Sequence, residues 1–296
     1  MPEVSTIYRV GSKSLTGIHL MHKMRYCVRL YNPYMTVCYI KIVVWYMQII
    51  ISPAKKMIEN TDTLPPLRMP LFLNEANIIL SKLREFDFAK LKALYKASDS
   101  IVKLNLERLS CIDLSKNLTP ALLSYNGLQY QSMGANVFDE RSYEYLDRHL
   151  FILSAMYGML RPFDGVRAYR LEMAAKLKIN DKKDLYDFWQ KKVTGELQKY
   201  DDTVINLASE EYSKVIYSKK VNLINVLFPV KSGDKLVERG SLCKQARGAM
   251  VRFLAENNIE SSEEMKYFSA YGFVYSKEYS NKKTFCFIKE NNYGNA

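Results

Sequence analysis

Met47-Gln-Ile-Ile-Ile-Ser52 runs directly into Pro53. Three successive isoleucines place branched apolar side chains on both faces of an extended segment. Such a strand must be covered from both sides, as strands inside an α/β-type sheet are. The proline then ends the ladder, because it has no N–H to donate. A chain whose core starts from this strand needs helices to cover it, and the sequence supplies them. Leu73, Ala76, Ile79, Leu80 and Leu83 recur at helical spacing within 71–86, and the period returns over 88–97 and 98–109, with Ser98 as an N-cap. Pro65, Pro66 and Pro70 force a loop ahead of them.

Further along, 122–130 reads as a short strand and turn around Asn126-Gly127, and 139–150 as a helix. A helix over 184–200 points Leu185, Phe188, Trp189 and Val193 inward, and 204–208 is a short apolar strand. Strands are expected within 221–230, 270–275 and 284–289, and a helix over 244–257. Ser261-Ser-Glu-Glu264 has the spacing of a capping box. Helices and strands mix without strict alternation, repeat or long linker. The reading is therefore α+β: a single compact domain over 47–296 with a mixed sheet and surrounding helices.

Residues 1–46 do not share this patterning. They hold Arg9, Lys13, Lys23, Arg25, Arg29 and Lys41 against one acid, Glu3, with six tyrosines and no helical period. The apolar stretch at 34–51 is interrupted by Lys41 and lacks a small-residue cleavage site, so no membrane span or secretory signal is expected. The expectation is an unstructured or non-native extension over 1–46, with Met47 opening the natural protein. The whole chain carries 43 Lys+Arg and 31 Asp+Glu, a net charge of +12, and the body remains basic without the extension. That balance suits a phosphate-rich partner without requiring one. Five scattered cysteines and three histidines offer neither a zinc site nor a disulfide framework, and they suit a reducing, cytoplasmic setting. No cofactor or metal is expected.

Four stretches carry polar residues that an ordinary core does not need. Ser52 and Lys55 leave a buried strand at its end, where α/β sheets bind ligands, and could hold a phosphate; a strand exit with a solvated lysine is the simpler account of the two residues alone. The span 153–173 gathers Arg161, Arg167 and Arg170 with Tyr157, Tyr169, Asp164 and Glu172 around Gly158 and Gly165. A helix, a glycine turn and basic residues are how helix-hairpin-helix modules offer N–H groups to DNA phosphates; a structural turn with internal ion pairs is the rival account. In 204–212, Asn206 is an amide inside an apolar strand, and Ser209 stands at a helix start, either as a cap or as part of an anion site. On the helix over 244–257, Lys244 and Arg247 share a face and Arg252 is offset, with Gly248 allowing close approach of a phosphate backbone. Cys243, next to Lys244, reads as a buried inert thiol in preference to a reactive one. No Ser-His-Asp set can be assembled, and no Walker loop or Gly-x-Gly-x-x-Gly is present.

Together the stretches resemble the YaaA family of peroxide stress proteins. The resemblance is carried by Ile51-Ser-Pro-Ala-Lys55, Tyr157-Gly-Met-Leu-Arg-Pro-Phe-Asp164, Tyr169-Arg-Leu-Glu-Met173, Asp184-Leu-Tyr-Asp-Phe-Trp189, Ile205-Asn-Leu-Ala-Ser-Glu-Glu-Tyr212 and Lys244-Gln-Ala-Arg-Gly-Ala-Met-Val-Arg-Phe253. It implies a bacterial cytoplasmic protein that limits free iron and hydroxyl-radical damage. It also implies an α+β fold of the cantaloupe type, a basic cleft, a helix-hairpin-helix element and binding of duplex DNA. The family's polar blocks fall on Ser52, Lys55, Arg161, Tyr169, Arg170, Asn206, Ser209, Lys244, Arg247 and Arg252. Ala155 and Ala168 depart from the pattern, standing where relatives often carry Gly and Pro; alanine is disfavoured in a turn that needs positive φ.

Two functions follow as expectations. The first is non-enzymatic, sequence-independent DNA binding through these cations. The second is an enzyme acting on a nucleotide or another phosphorylated small molecule, with Asn206, Ser209, Tyr212 and Glu172 in its pocket, although no nucleophile–base pair is evident. An open groove favours the first and a deep closed pocket the second.

Overall fold

A computed structural model describes residues 25–29, 39–43, 47–59, 64–200 and 203–290. The chain divides into two units, 1–45 and 46–296. In the first, Arg25–Arg29 and Tyr39–Val43 pair antiparallel, with Arg25 opposite Val43. The rest of the expected extension lies outside the described residues.

The second unit is built around the isoleucine strand. Gln48–Ile51 (β1) lies between two parallel neighbours, Leu150–Ser154 (β2) and Val204–Leu207 (β4), and is buried at every position. Gly158–Leu160 (β3) returns antiparallel along β2. On the other side, Leu223–Leu227 (β5) runs parallel to β4. Beyond Phe228 the chain resumes as Pro229–Ser232 (β6), which turns back through Lys235–Glu238 (β7). Thr284–Glu290 (β10) pairs parallel with both β5 and β6 in one continuous register, Asn225 opposite Thr284 and Val230 opposite Lys289. Its other edge takes Phe273–Tyr275 (β9) and then Ser269–Ala270 (β8), both pairings antiparallel. Among the described residues these ten strands form one mixed sheet, and with its helices the unit is α+β as expected.

The helices Leu73–Arg84 (α1), Phe88–Tyr95 (α2), Asp99–Cys111 (α3), Glu140–His149 (α5) and Leu185–Leu197 (α6) fall where their periods place them. Asp87, Asp139 and Asp184 cap three of them, each accepting a backbone N–H at 2.8 Å. Ser98 occupies the N-cap position of α3, but its hydroxyl faces that of Ser100 at 3.0 Å instead of a backbone N–H. Leu185, Phe188, Trp189 and Val193 are all buried. Trp189 covers Gly158, whose φ of 71° is left-handed and where a Cβ would sit 2.6 Å from the indole.

Two local expectations fail. The 122–130 segment is mostly helical: a turn at Ala121–Ser124, a two-residue strand Tyr125–Asn126 against Lys56–Met57, then Leu128–Met133 (α4). The N–H groups of Ala121 and Leu122 bond the carbonyls of Asp164 and Pro162, so tertiary partners override the local turn signal. The Ser261 box does not start an α-helix either. Its hydroxyl accepts the Glu263 N–H, and a single 3₁₀ turn, Glu264–Tyr267, follows. Gly240–Glu256 (α7) begins earlier than expected and packs on α4.

Candidate functional site

The carboxyl ends of β1, β2, β4 and β5 lie along one edge of the sheet, because Ile51 is in register with both Ile152 and Leu207 and Asn206 with Asn225. Ligands of parallel sheets bind beyond such an edge. Ser52, the first residue after β1, accepts the Ser209 N–H on Oγ at 2.8 Å and touches the Ser209 hydroxyl at 3.1 Å. Its carbonyl takes the Tyr130 hydroxyl at 2.9 Å. Tyr169 links the hydroxyls of Tyr125 at 3.0 Å and Ser154 at 2.8 Å, and Ser154 Oγ also accepts the Tyr157 N–H. Burial raises the phenol pKa values of Tyr125, Tyr130, Tyr157, Tyr169 and Tyr212, so these groups act as neutral donors and acceptors.

Three residues after Ser52, Lys55 Nζ meets Glu172 Oε2 at 2.8 Å, while the other oxygen of Glu172 accepts from Arg170 Nη2 at 3.0 Å. One carboxylate thus bridges two candidate cations. The loop that carries Arg170 and Glu172 is tied to the helical turn after β4, because the Ala174 N–H donates to Glu211 Oε1, and Tyr186 of α6 donates to the Glu211 carbonyl. Arg170 Nε is sealed from solvent and has no acceptor.

Two candidates at this edge serve the fold. Asn206 uses both ends of its amide, with Oδ1 accepting the Ala208 N–H at 3.0 Å and Nδ2 donating to Asn225 Oδ1 at 2.8 Å. It clamps two strand ends. Ser209 precedes a single helical turn, Glu210–Ser213, and its N–H is committed to Ser52, which ties the end of β4 to the end of β1.

The 153–161 segment corrects the sequence reading most. It is the β2–β3 hairpin, buried from Leu153 to Leu160, in place of a helix and glycine turn offered to DNA. Its left-handed residue is Gly158, and Ala155 does not have positive φ. Arg161 lies at the far end of β3, level with the start of β2. Its N–H donates to Asp164 Oδ2 at 2.9 Å, next to the two-pronged Arg68–Asp147 pair at 2.9 and 2.6 Å. Burial pushes the Asp164 carboxyl up to about 7 despite Arg68 and Arg161, and its Oδ1 has no partner. Arg161 therefore does not join the Ser52 cluster.

On α7, Arg252 is committed to the fold. It reaches the Met133 carbonyl at 3.4 Å and Glu256 at 2.7 Å, and stacks over Phe138. Lys244 is exposed and Arg247 half-buried; neither has an ion pair or hydrogen bond among the described residues, and Arg247 Nε is sealed without an acceptor. Gly248 serves helix packing and not phosphate approach: a Cβ there would lie 2.0 Å from the Gln129 carbonyl oxygen of α4. Cys243 donates to the Phe228 carbonyl at 3.4 Å, and burial pushes its thiol up to about 11, as an inert thiol requires. The sequence reading missed Tyr125, Tyr130 and Ser154, because tyrosines and a serine in apolar surroundings carry no spacing signal.

The enclosed cavity beside Arg170, lined also by Tyr95, Asn105, Arg108 and Tyr169, measures about 10 Å³, room for one water. A groove of about 730 Å³ lies elsewhere, between α1 and residues 178–180, and no candidate residue lines it. Among the described residues no group of three or more His, Cys, Asp or Glu is placed to hold a metal ion, and no helix is long and apolar enough to cross a membrane.

The family described as peroxide stress protein YaaA matches residues 47–279. A UPF0246 protein of Lachnoclostridium phytofermentans is 43% identical over 246 residues, covering 82% of this chain and 96% of that protein. Counterparts from Agathobacter rectalis and Ligilactobacillus salivarius are each 42% identical over 82% of this chain and cover 99% and 100% of their own lengths. The matched span contains the whole strand-end cluster and α7, and the chain belongs to the YaaA family of peroxide stress proteins.

Proposed function

We propose that this peroxide stress protein binds the phosphates of duplex DNA without reading its sequence. Limiting free intracellular iron and hydroxyl-radical damage is the cellular outcome proposed for that binding. The observation that carries this reading is the pair of cations on α7, exposed Lys244 and half-buried Arg247, neither of which has a counter-ion among the described residues. A guanidinium held partly out of water without an acid beside it is costly unless an anion arrives. Lys55 and Arg170 add two cations at the sheet edge, although the free protein holds both on Glu172. Arg161 is left out of this interface because it lies at the far end of β3 with its side chain on Tyr200, and Asn206 and Arg252 because their side chains are spent on internal bonds.

The test is fluorescence anisotropy of a short duplex with the full chain across a salt series. Affinity should fall with a log–log slope of about −0.9 per phosphate neutralised, and Arg247→Ala should make the slope shallower by about one. A slope near zero removes the proposal. The second reading, a site for a nucleotide or other phosphorylated small molecule, draws on the hydroxyls of Ser52 and Ser209 and the cations Lys55 and Arg170, on loops that leave a parallel sheet at one edge. A thermal shift with nucleotides tests it.

A further inference from the structure

We propose that Lys55, Arg170 and Glu172 form a phosphomonoester site, which takes a terminal phosphate in exchange for the Glu172 carboxylate. This rests on the phosphate-binding reading above and narrows it to one chemical form. The Glu172 carboxylate occupies the position where an anion would sit, with one oxygen on Lys55 Nζ at 2.8 Å and the other on Arg170 Nη2 at 3.0 Å. Donors aimed at two oxygens of a carboxylate are also aimed at two oxygens of a phosphate.

The exchange sets the charge that the ligand must bring. A backbone phosphodiester carries one negative charge, as Glu172 does, so swapping one for the other gains little. A terminal phosphate carries a charge of about −1.5 to −2 near pH 7 and offers three acceptor oxygens. It gains on both cations at once. A further donor is close in sequence: of the two hydroxyl protons on Ser52 and Ser209, their mutual contact uses only one. The displaced Glu172 has a way out, since its side chain is already 27% exposed, and Lys55 at 64% leaves the site open to a large ligand.

Such a phosphate belongs either to a 5′-phosphorylated DNA end or to a free nucleotide, and one set of measurements separates them. Two fluorescent duplexes of one sequence, with 5′-phosphate or 5′-hydroxyl ends, are titrated with the full chain. A nucleoside 5′-monophosphate serves as competitor and as thermal-shift ligand. The 5′-phosphate duplex should bind about tenfold more tightly. Lys55→Ala and Arg170→Ala should each abolish that preference while the binding that depends on Arg247 persists. Glu172→Gln should tighten binding of the 5′-hydroxyl duplex and narrow the gap, with urea midpoints confirming that every variant is folded.

Equal affinity for the two duplexes, with no competition by the monophosphate, overturns the site and leaves the DNA reading standing. Stabilisation by the monophosphate with no binding of either duplex supports the site, identifies free nucleotide as the source and overturns the DNA reading. Weaker binding of the 5′-phosphate duplex by Glu172→Gln makes Glu172 a ligand contact and overturns the exchange.

Discussion

Gly248→Ala probes the close approach of α7 to α4. The added methyl would lie 2.0 Å from the Gln129 carbonyl oxygen, 2.9 Å from its carbon and 3.0 Å from the Met133 nitrogen. All three are backbone atoms, so no side-chain rotation relieves the clash. Carbon contacts settle at about 3.5 Å, so α4 and α7 must part by roughly 1 Å or more. Overpacking of this kind costs about 1–3 kcal/mol, and the lost helix–helix contact adds to it. The better helix propensity of alanine returns about 1 kcal/mol, for a net loss of about 2 kcal/mol. Gly195→Ala in α6 is the control, because nothing lies within 4 Å of its Cβ position. There propensity acts alone, and the variant should gain up to about 1 kcal/mol. Urea unfolding followed by the fluorescence of buried Trp189 should move the two midpoints in opposite directions with unchanged slope. A Gly248→Ala midpoint at or above that of the wild type would refute the argument that this glycine is there for packing.

Two buried groups make opposite contributions to pH dependence. Burial pushes His149 down to about 4 although its Nδ1 bonds the Met47 carbonyl, so its contribution is complete above pH 6.5 and lost as pH falls toward 4, about 3 kcal/mol in all. Asp164, raised from 3.8 to about 7, contributes fully below pH 3.8 and loses about 4 kcal/mol as pH rises through 7. The wild-type profile between pH 4 and 7 should therefore be shallow in urea midpoints, Asp164→Asn should reveal a fall toward acid, and His149→Gln a fall toward pH 7; variant profiles parallel to the wild type would contradict both assignments. Of Cys111, Cys243 and Cys286, only exposed Cys111 should take up maleimide in the native state, since burial pushes the other two thiols up to about 11; peptide mass spectrometry would detect early labelling of Cys243 if that is wrong.

What the sequence disclosed was what periodicity encodes. The isoleucine run placed β1 in the sheet interior, and the spacing of Leu185, Phe188, Trp189 and Val193 oriented α6, because both signals are repeated over several residues. Single polar residues were legible as unusual but not as to purpose. Asn206 and Arg252 look available in the sequence, but their side chains are spent on Asn225 and Glu256, partners that a linear reading cannot pair with them. A helical reading of 153–161 puts Arg161 on a DNA-facing turn, whereas Leu153–Leu160 is apolar enough to be buried on both faces of a hairpin. Glycine misled in one particular way: Gly248 signals close approach, but its neighbour is α4.

The position of β1 has a consequence for synthesis of the chain. It is the first strand of its unit to leave the ribosome, yet its two neighbours begin at Leu150 and Val204. At about 5–20 residues per second, the three isoleucines wait several seconds or longer for a first partner. The sheet then stays open until β10 emerges at 284–290, near the end of translation. Pairings this distant along the chain fold slowly, because loop closure precedes any gain from contact. The nascent protein thus carries three unpaired isoleucines through about a hundred residues of synthesis before β2 can cover one edge of β1.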